Sequence, residues 1–271
     1  MLIGARNVVI VCIAFLVNAR VAVPQAAGDK SGRSVAGARV AHVLVALADN
    51  RYQGIVPVPA AIGNGDDPAH NLYWGAGYGL RTFFQKSTDW ERIGPCVPGK
   101  GPVLERCIFR RRNDKVYVVA DAVRGREIKL AVSGFFAFAS GHAPEEVPVG
   151  EAEFIRAGGA SDLVAYVGHD GLMDFALDHY EYSIDNKRRD AVIIACASKN
   201  YFANALRWTG AKPLVWTTGL MAPEAYVIEA VLSGWASNDS DDRIRRRAAE
   251  AYDKYQHCGA KGAMHLFATG W

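Results

Sequence analysis

Short runs of consecutive apolar residues alternate along the chain with stretches whose apolar positions recur every three or four residues. The first run, 40–48, ends at Asp49-Asn50 and reads as a buried strand. A polar loop through 63–68 follows, and Asp67 or Asn71 is placed to cap a helix predicted over 69–86. Residues 87–113 carry two cysteines and the basic run Arg110-Arg111-Arg112, which reads as a solvated turn beside Asn113-Asp114. A second strand is predicted over 116–120. A helix over 126–139 follows, with apolar residues at 128, 132, 135 and 139. Pro144 and Pro148 bracket a loop. A third strand, 162–168, runs into His169-Asp170-Gly171, and a fourth, 190–195, runs into Cys196-Ala197-Ser198. A helix to Trp208, a fifth strand over 213–218, a helix opened by Pro223 and a charged helix over 238–258 complete the chain. Strands and helices in alternation predict an α/β fold: one open, mostly parallel sheet with helices on both faces.

The N-terminus does not fit that pattern. Arg6 precedes the ten apolar residues 8–17, which would span about 15 Å as a helix, half the hydrocarbon thickness of a bilayer. The length suits a secretory signal peptide over 1–27 better than a membrane anchor, with small residues for cleavage at 17–19 and again at 25–27. The expectation is a secreted or periplasmic protein with no membrane span in the mature chain, since no later run reaches 18 apolar residues.

Composition narrows the function classes. With 271 residues, 50% hydrophobic and 22% charged, the chain is ordinary globular protein and not coiled coil or long disorder. A net charge of +3, spread evenly, predicts no nucleic-acid partner. Oligomeric state is not legible. Export would change how the cysteines read. Cys96 and Cys107 flank the turn-rich stretch 97–102, so a disulfide between them would pin that insertion in an oxidising compartment. Four mature cysteines allow three pairings, and the sequence does not choose among them.

In open sheets of this class the functional face lies beyond the carboxyl ends of the strands. Two consecutive strands end there in His169 and Cys196, 27 residues apart, enough for the crossover that a parallel pair requires. A free thiol is only a few per cent thiolate at neutral pH and needs a base to become a competent nucleophile. An imidazole beside it takes that proton and returns it to a leaving amine. Gly171 and the Cys196 backbone N–H offer donors for the developing oxyanion. The sequence has no HExxH, paired CxxC or GxxxxGK[ST] pattern, so zinc and P-loop readings lack support.

These residues resemble the caspase/clostripain/gingipain/legumain clan of cysteine peptidases, with the caspase–haemoglobinase fold. The resemblance spans roughly 38–236, but its specific part is about fifteen residues: Tyr166-Val167-Gly168-His169-Asp170-Gly171 and Val192-Ile193-Ile194-Ala195-Cys196-Ala197-Ser198. One departure is Asp170, which separates the His from a Gly that many members place next to it. The resemblance implies a caspase-like three-layer sandwich over 38–236, with 237–271 as a helical extension packed on the same domain. It implies Cys196 as nucleophile, His169 as general base and acid, and Gly171 with Cys196 as oxyanion donors. It also implies a peptide or protein substrate and no cofactor or metal. In this clan a pocket partly built from the end of the first strand reads the residue before the scissile bond. Asp49 stands there, and a carboxylate would favour Arg or Lys.

Two rivals use the same residues. An amidotransferase-like hydrolase would pair Cys196 with a downstream His257 or His265, but the places for its elbow glycines hold Ile194 and Ser198. A non-catalytic exported α/β module would use the same face to hold a ligand or protein.

Overall fold

Strand β2 (Arg39–Ala46) is buried at every position after Arg39, on both of its faces. That is what an uninterrupted apolar run gives when helices cover both sides of a parallel sheet. The computed structural model describes residues 32–271, so the leader expected over 1–27 lies outside the described residues. In chain order the strands are β1 (Arg33–Ser34), β2, β3 (Trp90–Arg92), β4 (Val97–Pro98), β5 (Val103–Arg111), β6 (Val116–Val123), β7 (Pro144–Pro148), β8 (Glu153–Gly158), β9 (Leu163–Val167), β10 (Asp190–Ile194), β11 (Lys212–Thr217) and β12 (Phe267–Ala268). The helices are α1 (Leu80–Gln85), α2 (Ile128–Ala139), α3 (Ser198–Thr209), α4 (Ala225–Ala236), α5 (Asp241–Gln256) and α6 (Ala260–Leu266).

The large sheet has nine strands in the order β12-β11-β10-β9-β2-β6-β5-β3, with β4 also on β5. Its centre, β11-β10-β9-β2-β6, is parallel, and β12, β5, β3 and β4 are antiparallel additions at the two edges. A smaller sheet, β1-β8-β7, stands apart from it. Alternate side chains of each central strand go to opposite faces. Val43, Val45, Leu163 and Ala165 join residues of α1, α4, α5 and α6 in one core. Leu44, Ala46, Val164 and Tyr166 join α2 and α3 in another. The result is a three-layer α/β fold. Residues 237–271 complete one of its layers: Ile244, Ala248, Tyr252 and Ala263 share the core of α4, and β12 extends the sheet.

Three expectations are corrected. The helix predicted over 69–86 is helical only at Leu80–Gln85. Gly75 packs so closely that a Cβ would sit 2.0 Å from the Ala69 carbonyl, and buried Asn71 ties the preceding turns to the end of β2 through both Ala48 N–H and Ala48 C=O. The bracketed stretch 144–148 is strand β7, with its prolines at the strand ends. The arginine run lies at the end of β5 and beyond, where Arg110 and Arg112 pair with Glu91.

Cys96 and Cys107 form a disulfide with Cα atoms 4.3 Å apart, tying the start of β4 to the middle of β5. Cys196 and Cys258 are free. Between the two sheets, His42 of β2 is fully buried. Its Nδ1 accepts the Gly158 N–H at 2.9 Å, so its Nε2 carries the hydrogen toward Asp121 Oδ2, 3.0 Å away. Arg106 donates to both Asp121 and Glu145. His42, Asp121 and Glu145 converge as metal ligands would. The Arg106 guanidinium already supplies the positive charge there.

Candidate active site

The site lies at the carboxyl edge of the parallel strands. Strand β2 leads to β6 on one side and has β9 on the other, so the crevice between β2 and β9 is the topological switch point of the sheet. Neighbours β9 and β10 pair in strict register from Leu163↔Asp190 to Val167↔Ile194. His169 and Cys196 each stand two residues beyond the last pair, so the ladder brings both to the same level of the edge.

Between Val167 and His169 the chain turns at Gly168, whose φ of 146° and 2.8 Å clearance from a built Cβ to the Ala46 carbonyl exclude a side chain. His169 follows, only 7% exposed. Its carbonyl accepts from the Tyr166 hydroxyl at 2.7 Å. A single 3-10 turn, Gly171–Met173, then carries the chain to Asp174. Asp174 Oδ2 lies 2.7 Å from His169 Nε2 and also accepts the Gly54 N–H at 2.9 Å. The carboxylate accepts a hydrogen bond from Nε2–H, which leaves Nδ1 as the imidazole's basic nitrogen. Sequence reasoning missed Asp174. Its only signal was a carboxylate five residues after the histidine, behind a Gly-containing turn.

Cys196 occupies a sharp strand-to-helix turn. Ala197, the residue before α3, has left-handed φ 47° and ψ 30°, strained for a residue with a Cβ. Ser198 and Thr217 hold the turn to β11. The Ser198 hydroxyl donates to Ile193 C=O at 3.0 Å and accepts the Thr217 N–H at 3.0 Å, and Thr217 Oγ1 accepts the Ser198 N–H at 3.1 Å and donates to Ala195 C=O. The half-buried sulfur donates to Met221 C=O and accepts the Met221 N–H, both at 3.4 Å. Burial pushes the thiol up, the Met221 N–H opposes this, and the Asp170 carboxyl adds to the rise. Cys196 is therefore held as a thiol more firmly than a free cysteine. Among the described residues, neither the Gly171 nor the Cys196 backbone N–H has a hydrogen-bond acceptor.

Asp49, three residues past β2, is nearly buried. Its Oδ1 accepts the N–H groups of Arg51 at 2.9 Å and Tyr52 at 3.3 Å, the pattern of an Asx turn. Its own N–H donates to Gln53, which in turn bonds Leu47 and Gly125 carbonyls. His257 and His265 are both exposed, on the α5 cap and in α6, and neither bonds Cys196.

Large apolar side chains are exposed in loops beside the pair. Tyr52 and Val56, the latter 87% exposed, flank Gly54. Met173 precedes Asp174, and Leu220, 76% exposed, precedes Met221. A separate cavity of about 740 Å³, lined by residues of β4, β5 and β7 including Arg106 and Glu145, shares no residue with this edge. Comparison with protein-family models, with curated proteins and with solved structures finds no match for this chain.

Proposed function

We propose that the chain is an exported cysteine endopeptidase of the caspase-like kind, with Cys196 as nucleophile and His169 as its base. The observation that carries this reading is the register of β9 and β10, which sets an imidazole and a thiol at one level of the switch-point edge. His169 Nδ1 takes the Cys196 proton as the sulfur attacks a peptide carbonyl. The oxyanion is received by the Gly171 and Cys196 N–H groups. The imidazolium, steadied by Asp174, then gives its proton to the leaving amine, which leaves a thioester on Cys196. A water deprotonated by the same nitrogen attacks the thioester and restores the free thiol. No step calls on a metal or cofactor.

The exposed Tyr52, Val56, Met173 and Leu220 support an extended peptide substrate with bulky apolar side chains near the scissile bond. Asp49 is committed to its own turn, and residue preference is not assigned to it. A panel of internally quenched peptides tests the reading. Apolar-rich members should be cleaved, and the Cys196→Ala variant should cleave none while still binding them. Binding without turnover by the unaltered protein would favour the non-catalytic module.

A further inference from the structure

Asp170, the residue interposed between the histidine and the glycine, is fully buried although it is charged by type. Its Oδ1 accepts the Leu172 N–H at 3.0 Å and caps the 3-10 turn that begins at Gly171. Its Oδ2 is buried and has no hydrogen-bond partner among the described residues. A buried carboxylate oxygen without a donor is expensive to ionise, and a protonated acid is the cheaper state.

Among the described residues, the groups facing Asp170 add no compensating cation. Tyr166 stands on β9, the strand that leads to it, His169 is its chain neighbour and Asp174 follows in the turn. Cys196 faces it from the tip of β10, and Tyr73 from the β2–β6 crossover faces the same Cys196 and Tyr166. Phe175 and Ile128 pack on the adjoining Gly171 and are apolar. Burial pushes the Asp170 carboxyl up to about 7. The Leu172 and Met173 N–H groups oppose the rise, and the Asp174 carboxylate adds to it.

We propose that Asp170 is a positioning residue with two duties: its cap orients the Gly171 N–H, and its buried carboxyl, neutral while the site works, restrains Cys196 from ionising once it loses its proton. The site therefore favours neutral to mildly acidic conditions. As pH rises past the Asp170 transition, a negative charge appears beside the sulfur and thiolate formation becomes harder. The inference rests on Cys196 as the reacting thiol, but it is read by thiol chemistry alone.

Asp170→Asn keeps the shape and the acceptor for Leu172 while removing the charge. Cys196 alkylation by iodoacetamide, followed by mass spectrometry from pH 5 to 10, should show a lower thiol transition in Asp170→Asn. At about pH 8.5 the variant should react roughly three- to tenfold faster, the effect of a half to one pH unit. The exposed Cys258 should react alike in both proteins and serves as the control for reagent and pH. In wild-type protein carrying 13C-carboxyl aspartate, one carboxyl should titrate near neutrality, a readout that survives if the variant fails to fold. Superimposable Cys196 profiles, or no aspartate carboxyl titrating above about pH 6, the upper reach of ordinary aspartates, would overturn the proposal. Neither result touches the Cys196–His169 reading, which fails separately if no peptide is cleaved.

Discussion

Asp174 Oδ2 sits 2.7 Å from His169 Nε2 and is itself held by the Gly54 N–H, so the imidazole's orientation is set from two segments of chain. A carboxylate in this place fixes the tautomer and, in the proposed mechanism, would stabilise the imidazolium formed by proton transfer. Asp174→Asn should lower kcat by about 10²–10⁴-fold with little change in KM. Gly54→Ala should mimic it in part, because a Cβ there would lie 2.5 Å from Asp174 Oδ1 and push the carboxylate off the ring. Steady-state kinetics on the best peptide of the quenched panel checks both. An unchanged kcat in Asp174→Asn would remove Asp174 from the site.

The framework of this site was legible in the sequence, and its third member was not. The apolar runs ending in His169 and Cys196 stand out because both strands are buried on both faces and carry no alternation to confuse with a helix. Asp174 depends on a single 3-10 turn started by the Asp170 cap, and a turn of that length leaves no periodicity to read. Strand β7 was hidden by its own prolines. The helix predicted over 69–86 came from aromatic spacing at Tyr73, Trp74, Phe83 and Phe84, of which the first two stand in turns and only the last two in the short α1. The antiparallel edges β3 to β5 were obscured by the cysteine loop, whose Cys96–Cys107 bridge the turn-rich stretch between them made plausible and the structure forms.

The Cys96–Cys107 bridge closes a loop with a sequence separation of 11 residues. The chain-entropy relation for a loop of that size gives about 3 kcal/mol of stabilisation. A Cys96→Ser/Cys107→Ser double variant should unfold at lower denaturant by that amount, with fluorescence of Trp90 in the nearby β3 a convenient monitor. Stability within about 0.5 kcal/mol of wild type, as for an ordinary surface change, would mean that the bridge constrains little.

Asp121 is nearly fully buried against His42 and Arg106. Burial works to raise its carboxyl, and the Arg106 guanidinium and His42 ring outweigh it and hold the group below the ordinary aspartate range. A carboxyl lowered on folding adds stability that is fully present above its unfolded value and is lost as pH falls through the folded one. Unfolding free energy should therefore fall as pH drops below about 4, where unfolded aspartates titrate. Asp121→Asn should flatten that acid limb and cost about 3–5 kcal/mol at neutral pH by leaving Arg106 under-paired. Denaturant melts from pH 3 to 7 measure both, and an acid limb of the same slope in the variant would contradict this role for Asp121.

The proposed chemistry requires that the imidazole of His169 activate the thiol on the neighbouring strand. Second-order alkylation rates of Cys196 and Cys258 at neutral pH, in wild type and in His169→Ala, test it most directly. The prediction is that Cys196, though half-buried and raised by burial, reacts faster than the exposed Cys258, and that His169→Ala abolishes this preference without altering the Cys258 rate. Equal rates for the two thiols in the wild-type protein, or a Cys196 rate indifferent to His169, would contradict it.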